Sequence, residues 1–154
     1  MSETSPVRYL EPGWLTRHVA NPAVSALTRA GVSVWGSRVL EVAGRQSGEP
    51  RRVPVNLLAC DGKQYLVSAR GTGQWVRNVR AAGGRLDLLL GRTREHWVAI
   101  ELTDDEKPPV LRAYLRRWKV EVGVLFDGVS ADSSDEELRA AGPQHPVFLL
   151  RPAP

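Results

Sequence analysis

Arginine, glycine and hydroxyl residues crowd two short turns in the middle of this chain. The first is Gly44-Arg45-Gln46-Ser47-Gly48-Glu49-Pro50, followed directly by Arg51 and Arg52. The second is Arg70-Gly71-Thr72-Gly73-Gln74. Such turns expose backbone N–H groups in concave nests that favour anions. Guanidinium groups beside them strengthen the attraction, because Arg offers a rigid fork of donors matched to phosphate and carboxylate. The chemistry this spacing suits is anion binding. A plain hairpin pair carrying solvated arginines is the structural alternative.

Other reactive constellations are missing from the sequence. His18, His96 and His145 are scattered without metal-ligand spacing, and each reads as a surface or hydrogen-bonded residue. GRQSG is neither a nucleophile elbow nor a phosphate loop of the GxxxxGK[ST] kind. The acids at 104–106 and 135–137 stand at expected helix starts, where the helix dipole accounts for them. With no general base, metal cluster or covalent nucleophile in view, an enzyme built on this chain would rely on a bound cofactor.

The charge distribution agrees with an anion site. Residues 45–94 carry ten Arg or Lys against Glu49, Asp61 and Asp87, so that segment is +7 within a chain of net charge +4. All but Lys63, Lys107 and Lys119 of the basic residues are Arg. A nucleic acid would also suit such a segment, but no recognition helix or stacking-aromatic pattern accompanies it, and the reading is no nucleic acid.

The elements that must position these turns follow from periodicity. Residues 38–44, 51–60, 63–70, 85–91, 94–102 and 145–151 read as strands. Asp61-Gly62 is a short hairpin signal joining the second and third. Pro54 lies inside the second strand and cannot donate to a ladder, so that stretch lies at an edge or faces something other than a neighbouring strand. Residues 75–83 read as a short helix with Trp75, Val79 and Ala82 inward and Arg77 and Arg80 outward. Leu111, Leu115, Trp118 and Val122 keep the spacing of an amphipathic helix. A further helix opens at about 135, and residues 13–35 read as two helices restarted at Asn21-Pro22. The result is an α+β fold on a mostly antiparallel sheet or barrel of about six strands.

The chain of 154 residues fits one domain, 1–154, and should bury roughly 70% of its unfolded surface without staples. Its lone Cys60 permits no internal disulfide, no signal-peptide pattern opens the chain, and no apolar run approaches a bilayer span. The expectation is a cytoplasmic protein.

The runs GRQSGEPRRVPV and DGKQYLVSARGTGQWVRNVRAAG closely resemble the deazaflavin (coenzyme F-420)-dependent nitroreductase family of actinobacteria. The spacing GRxSG-x-x-R-x-x-P-V is kept in full, and the resemblance extends from Asn21-Pro22 to the terminal HPVFLL. It implies a split β-barrel like that of small flavin-binding, pyridoxamine-phosphate-oxidase-like enzymes. It also implies coenzyme F-420 as cofactor, with flavin mononucleotide as the alternative. Arg45, Gln46 and Ser47 would meet the cofactor's anionic tail. Arg51, beside Arg52, matches the family's Arg at that spacing. Val53, Pro54 and Val55 would run beside the ring. Val67, Ser68, Ala69 and Arg70 match a second contact run, and Gln74, Trp75 and Asn78 a third. Gln46 stands where the family's turn usually has Lys, and Asn56 where an aromatic often follows. Trp118 and Phe126 are the aromatic candidates for a wall over the ring.

The activity so implied is hydride transfer from reduced F-420 to a small planar electrophile such as a quinone, enone or nitroaromatic. No catalytic side chain is expected, because placement alone can bring the reacting atoms to about 3–3.5 Å. A non-catalytic cofactor or lipid carrier on the same fold is the alternative. Residues 13–35 could then touch a membrane, and a homodimer is plausible for either reading.

Overall fold

The computed structural model describes residues 37–122, 125–126 and 128–154. The helices expected at 13–35, and the membrane contact assigned to them, lie outside the described residues. Six strands form a closed barrel: β1 (Ser37–Ala43), β2 (Pro50–Cys60), β3 (Lys63–Val67), β4 (Arg85–Leu90), β5 (Thr93–Glu101) and β6 (Val147–Pro152). Their order around the barrel is β1-β2-β3-β6-β5-β4, and every pairing is antiparallel. Three α-helices are described: α1 (Gln74–Ala81), α2 (Pro108–Val122) and α3 (Asp135–Ala141). The fold is α+β, a split β-barrel with short helices.

Turn chemistry sets the first registers. Asp61 and Gly62 both take positive φ, +51° and +74°, the requirement of a two-residue type I′ hairpin, and Cys60 then faces Lys63. The β1–β2 turn closes with Gly44 N–H donating to Glu49 O and Gly48, at φ +73°, donating to Gly44 O, both at 2.8 Å. β2 pairs with β1 over 50–56 but with β3 only from Leu57 onward. The side of β2 away from β1 is therefore without a strand partner around Pro54, which is where a strand tolerates a missing N–H.

β3 ends at Val67, shorter than the expected 63–70. Ser68 leaves the ladder because its hydroxyl donates to Gly71 O and folds the chain into a tight loop. β6 likewise begins at Val147, after a 3-10 turn over Gly142–Gln144 capped by His145.

The barrel interior is apolar: Leu40, Val42, Leu66, Leu86, Leu88, Ala99, Phe148 and Leu150 pack together. Helix α1 plugs one end. Val76 and Val79 are its deepest apolar residues, both fully buried, whereas Trp75 and Ala82 are half-buried. The inward face is thus turned toward Val76 relative to the expected one. Arg77 and Arg80 do face outward, and Arg80 makes a two-bond pair with Glu101 at 2.8 and 2.6 Å that ties α1 to β5.

A second apolar layer lies between the barrel and the remaining helices. Leu111, Tyr114, Leu115 and Trp118 of α2 and Leu138 of α3 pack with Leu58, Tyr65, Val67, Val147 and Phe126. Trp118 and Phe126 are therefore core residues rather than the expected wall over a ring. Each is 2% exposed, and large aromatics with so much area to bury are drawn into this layer. The acid runs are helix starts: Thr103 with Glu106 and Ser134 with Glu137 each form a capping box.

Candidate functional site

A cleft of about 530 Å³ opens where the β1–β2 turn, the start of β2 and the amino end of α1 meet. Two stretches of the chain, residues 42–53 and 74–78, supply its walls. Val42 and Gly44 come from β1 and its exit, and Arg45, Gln46 and Ser47 from the turn. Arg51, Arg52 and Val53 come from β2, and Gln74, Trp75 and Asn78 from α1.

Strand alternation decides which side chains enter. Val42 pairs with Arg51 and Leu40 with Val53, so Arg51 and Val53 share the inward face with the barrel core. Arg52, one residue on, is paired with Glu41, whose Oε2 receives its Nε–H at 2.7 Å. Gly44 brings the turn close to β2. A Cβ there would come within 3.1 Å of Ser47 Oγ and 3.2 Å of Arg51 Nε. The Arg51 guanidinium reaches back over that gap to Ser47 Oγ at 3.5 Å.

One carboxamide joins the two walls. Asn78 is 5% exposed on α1, and its Oδ1 accepts from both the backbone N–H and the Nη1 of Arg45, at 3.1 and 2.9 Å. That contact fixes the turn against the helix and aims Arg45 along the cleft. Opposite it, Gly73 caps α1 without a side-chain acceptor, and the first turn of the helix holds no acid. Its N–H groups carry the positive end of the helix dipole toward the mouth of the site.

Among the described residues no carboxylate lines the cleft. The nearest network places Glu41 between two arginines. Arg94 chiefly, then Arg52, holds its carboxyl below the usual carboxylate range against a burial effect of opposite sign. The arrangement is a cationic rim over an apolar strip of Val42, Val53 and Trp75. Among the described residues no His, Cys, Asp or Glu borders it, and no group of three such residues could hold a metal. The cleft can bind and orient a ligand; any chemistry there beyond positioning would come from what it binds.

Nine of the fifteen site residues expected from the sequence meet here: Arg45, Gln46, Ser47, Arg51, Arg52, Val53, Gln74, Trp75 and Asn78. The other six lie beyond the walls. Pro54 and Val55 continue β2, with Val55 packed on the barrel core. Val67 and Ala69 belong to the second apolar layer. Ser68 is bonded to Pro146 O and Gly71 O, and Arg70 follows in the same loop. Val42 and Gly44 are lining residues that the sequence reading did not single out. The period-2 pattern of 38–44 held the signal for Val42, and the first glycine of GRQSG held it for Gly44.

Residues 19–123 match the family described as F420H(2)-dependent quinone reductase. That match covers more than half of the chain. The chain belongs to this family. It is an oxidoreductase family whose cofactor is coenzyme F-420. Solved structures agree on the fold. An F420-H2 dependent reductase (FDR-A) is 19% identical, with a TM-score of 0.51 over 75% of this chain and 94% of that one. A Listeria innocua protein described as a pyridoxamine 5'-phosphate oxidase is 16% identical, with a TM-score of 0.50 over 77% and 85%. A chain solved as a domain-swapped dimer is 17% identical, with a TM-score of 0.52 over 84% and 95%. No curated protein matches the chain in sequence. No described helix is long and apolar enough to cross a membrane.

Proposed function

We propose that the cleft holds coenzyme F-420 and that the protein passes a hydride from its reduced form to a small planar electrophile, a quinone, enone or nitroaromatic. One observation carries the reading: Arg45, Arg51 and the amino end of α1 converge on a cleft with an apolar strip and, among the described residues, no carboxylate. That pattern fits a ligand with an anionic tail and a flat ring. The volume also lies within the range typical of cofactor sites, about 300–1,000 Å³.

In this reading Arg45 and Arg51 take the anionic tail, with Gln46 and Ser47 donating beside them. Arg52 is shared with Glu41 and contributes less. Val53, Pro54 and Val55 present the strand along which the ring lies, and Trp75 walls it. The loop 67–70 sets the position of α1. When bound, the cofactor supplies the hydride; the chain supplies orientation and dry surface. Among the described residues no His, Cys, Asp or Glu lines the cleft to hand over a proton, so in this reading the product's proton is drawn from solvent. The protein works in the cytoplasm as a pair of identical chains, in line with its lone Cys60 and with the domain-swapped dimer among its structural neighbours.

The test is anaerobic mixing of reduced F-420 with menadione, following reoxidation of the cofactor by absorbance. Turnover well above the protein-free rate is expected. Tight binding without turnover on quinone, enone or nitroaromatic acceptors would leave a carrier instead, and equal use of reduced flavin mononucleotide would remove the cofactor assignment.

A further inference from the structure

We infer that His145 is a positioning residue for the cleft, acting through the loop 68–73 that delivers the amino end of α1. The inference rests on reading that cleft as the cofactor site. His145 is 2% exposed and does not line the cleft. Its Nδ1 lies 3.1 Å from Ala69 O. A carbonyl can only accept, so Nδ1 carries the proton and donates. The next residue holds the same loop: Pro146 O accepts the Ser68 N–H at 2.8 Å. Two successive residues ahead of β6 thus pin two successive residues of the loop.

Beyond that anchor the loop is short and internally bonded. Ser68 Oγ donates to Gly71 O, Gly71 N–H to Ser68 O, and Gly73 N–H to Gly71 O at 3.1 Å. Gly73 then caps α1, and Gln74 and Trp75 form part of the cleft wall. Displacement of Ala69 is therefore carried along a stiff chain into the site. One face of the imidazole is stacked on Phe126, with ring centroids 3.9 Å apart and planes 18° apart. Packing holds the ring, and the ring aims one hydrogen bond at the loop. An apolar ring would fill the same space but leave Ala69 O without this bond.

Three variants separate positioning from packing. His145→Phe keeps an aromatic ring against Phe126 and removes the donor. His145→Asn keeps an N–H near the Nδ1 position and removes the ring. Phe126→Leu removes the stack and leaves the histidine. Each is measured for melting temperature, for F-420 affinity by fluorescence titration, and for amide hydrogen exchange over 70–76.

The expected result is about tenfold weaker F-420 binding and faster exchange over 70–76 in H145F, with kcat within about twofold and only KM raised. H145N and F126L should melt lower yet bind F-420 within about threefold of the parent. The proposal is overturned if affinity follows melting temperature across the set, or if H145F binds and exchanges as the parent does. Should H145F not fold, a loss of affinity in H145N or F126L matching their loss of stability overturns it equally. If the parent protein does not bind F-420, the cofactor reading of the cleft fails, and the exchange data alone decide whether His145 orders the loop.

Discussion

Arg51 and Asn78 illustrate two ways a side chain can serve one site. Arg51 extends along the inward face of β2 into the cleft, with Ser47 Oγ at 3.5 Å. It is placed to meet an anion directly. Arg51→Ala should weaken F-420 binding about tenfold or more and flatten its dependence on salt, as read by fluorescence quenching in a salt series. Asn78 is buried, and its Oδ1 is already taken up by Arg45. Its part is to hold the turn. Asn78→Ala frees Arg45 and should cost about tenfold in affinity without a change in kcat, measured by the same titration and by steady-state assay. The cationic turn was legible in the sequence because glycine spacing and charge coincide there. The work of Asn78 was not, since nothing in WVRNVR shows that its partner is 33 residues earlier. Val42 and Gly44 were missed for a related reason: alternation reveals which face a residue takes, not which end of the barrel is left open.

Among elements, α1 decides the geometry of the site, and its exit is the most constrained turn described. Gly84 sits at φ +86°, and a Cβ there would overlap the carbonyl of Ala99, the neighbour on β5 whose N–H donates to Gly84 O at 2.7 Å. Gly84→Ala should therefore destabilise the fold by about 2 kcal/mol or more, a melting-temperature fall of roughly 5–8 °C, detectable by calorimetry. All six strands and the three described helices were legible, because turn residues such as Asp61-Gly62 and the capping boxes at Thr103 and Ser134 mark their ends locally. The details that escaped depend on tertiary contact. β3 stops early because Ser68 bonds within its own loop, and α1 rolls toward Val76 because it closes a barrel end rather than lying along a sheet.

Across the whole molecule, a chain of polar contacts spans four strands on the outer face: Arg52 with Glu41, Glu41 with Arg94 and Arg94 with Asp87 as ion pairs, and Asp87 with His96 as a hydrogen bond, each at 2.6–2.7 Å. Glu41 is the acid most clearly set by it, with its carboxyl held below the usual value of 4.5 chiefly by Arg94. A depressed carboxylate adds stability above its unfolded value, and that part is lost as pH falls through the lower folded value. Unfolding free energy from urea melts should therefore decline from about pH 4.5 downward. Glu41→Gln should remove that part of the slope. The partners Arg52 and Arg94 are 52% and 40% exposed, so the loss is modest, about 1 kcal/mol or less, and shrinks in salt.

Family membership makes coenzyme F-420 the cofactor of this chain, and the central physical claim is that the cleft's cationic rim does the holding. The most direct measurement is a fluorescence titration with F-420 at several salt concentrations, beside flavin mononucleotide, using the parent protein and the Arg45→Ala/Arg51→Ala pair. Saturable F-420 binding that exceeds flavin binding, weakens steadily with salt and is largely lost in the paired variant is the predicted result. Binding that ignores salt and survives loss of both arginines would contradict it.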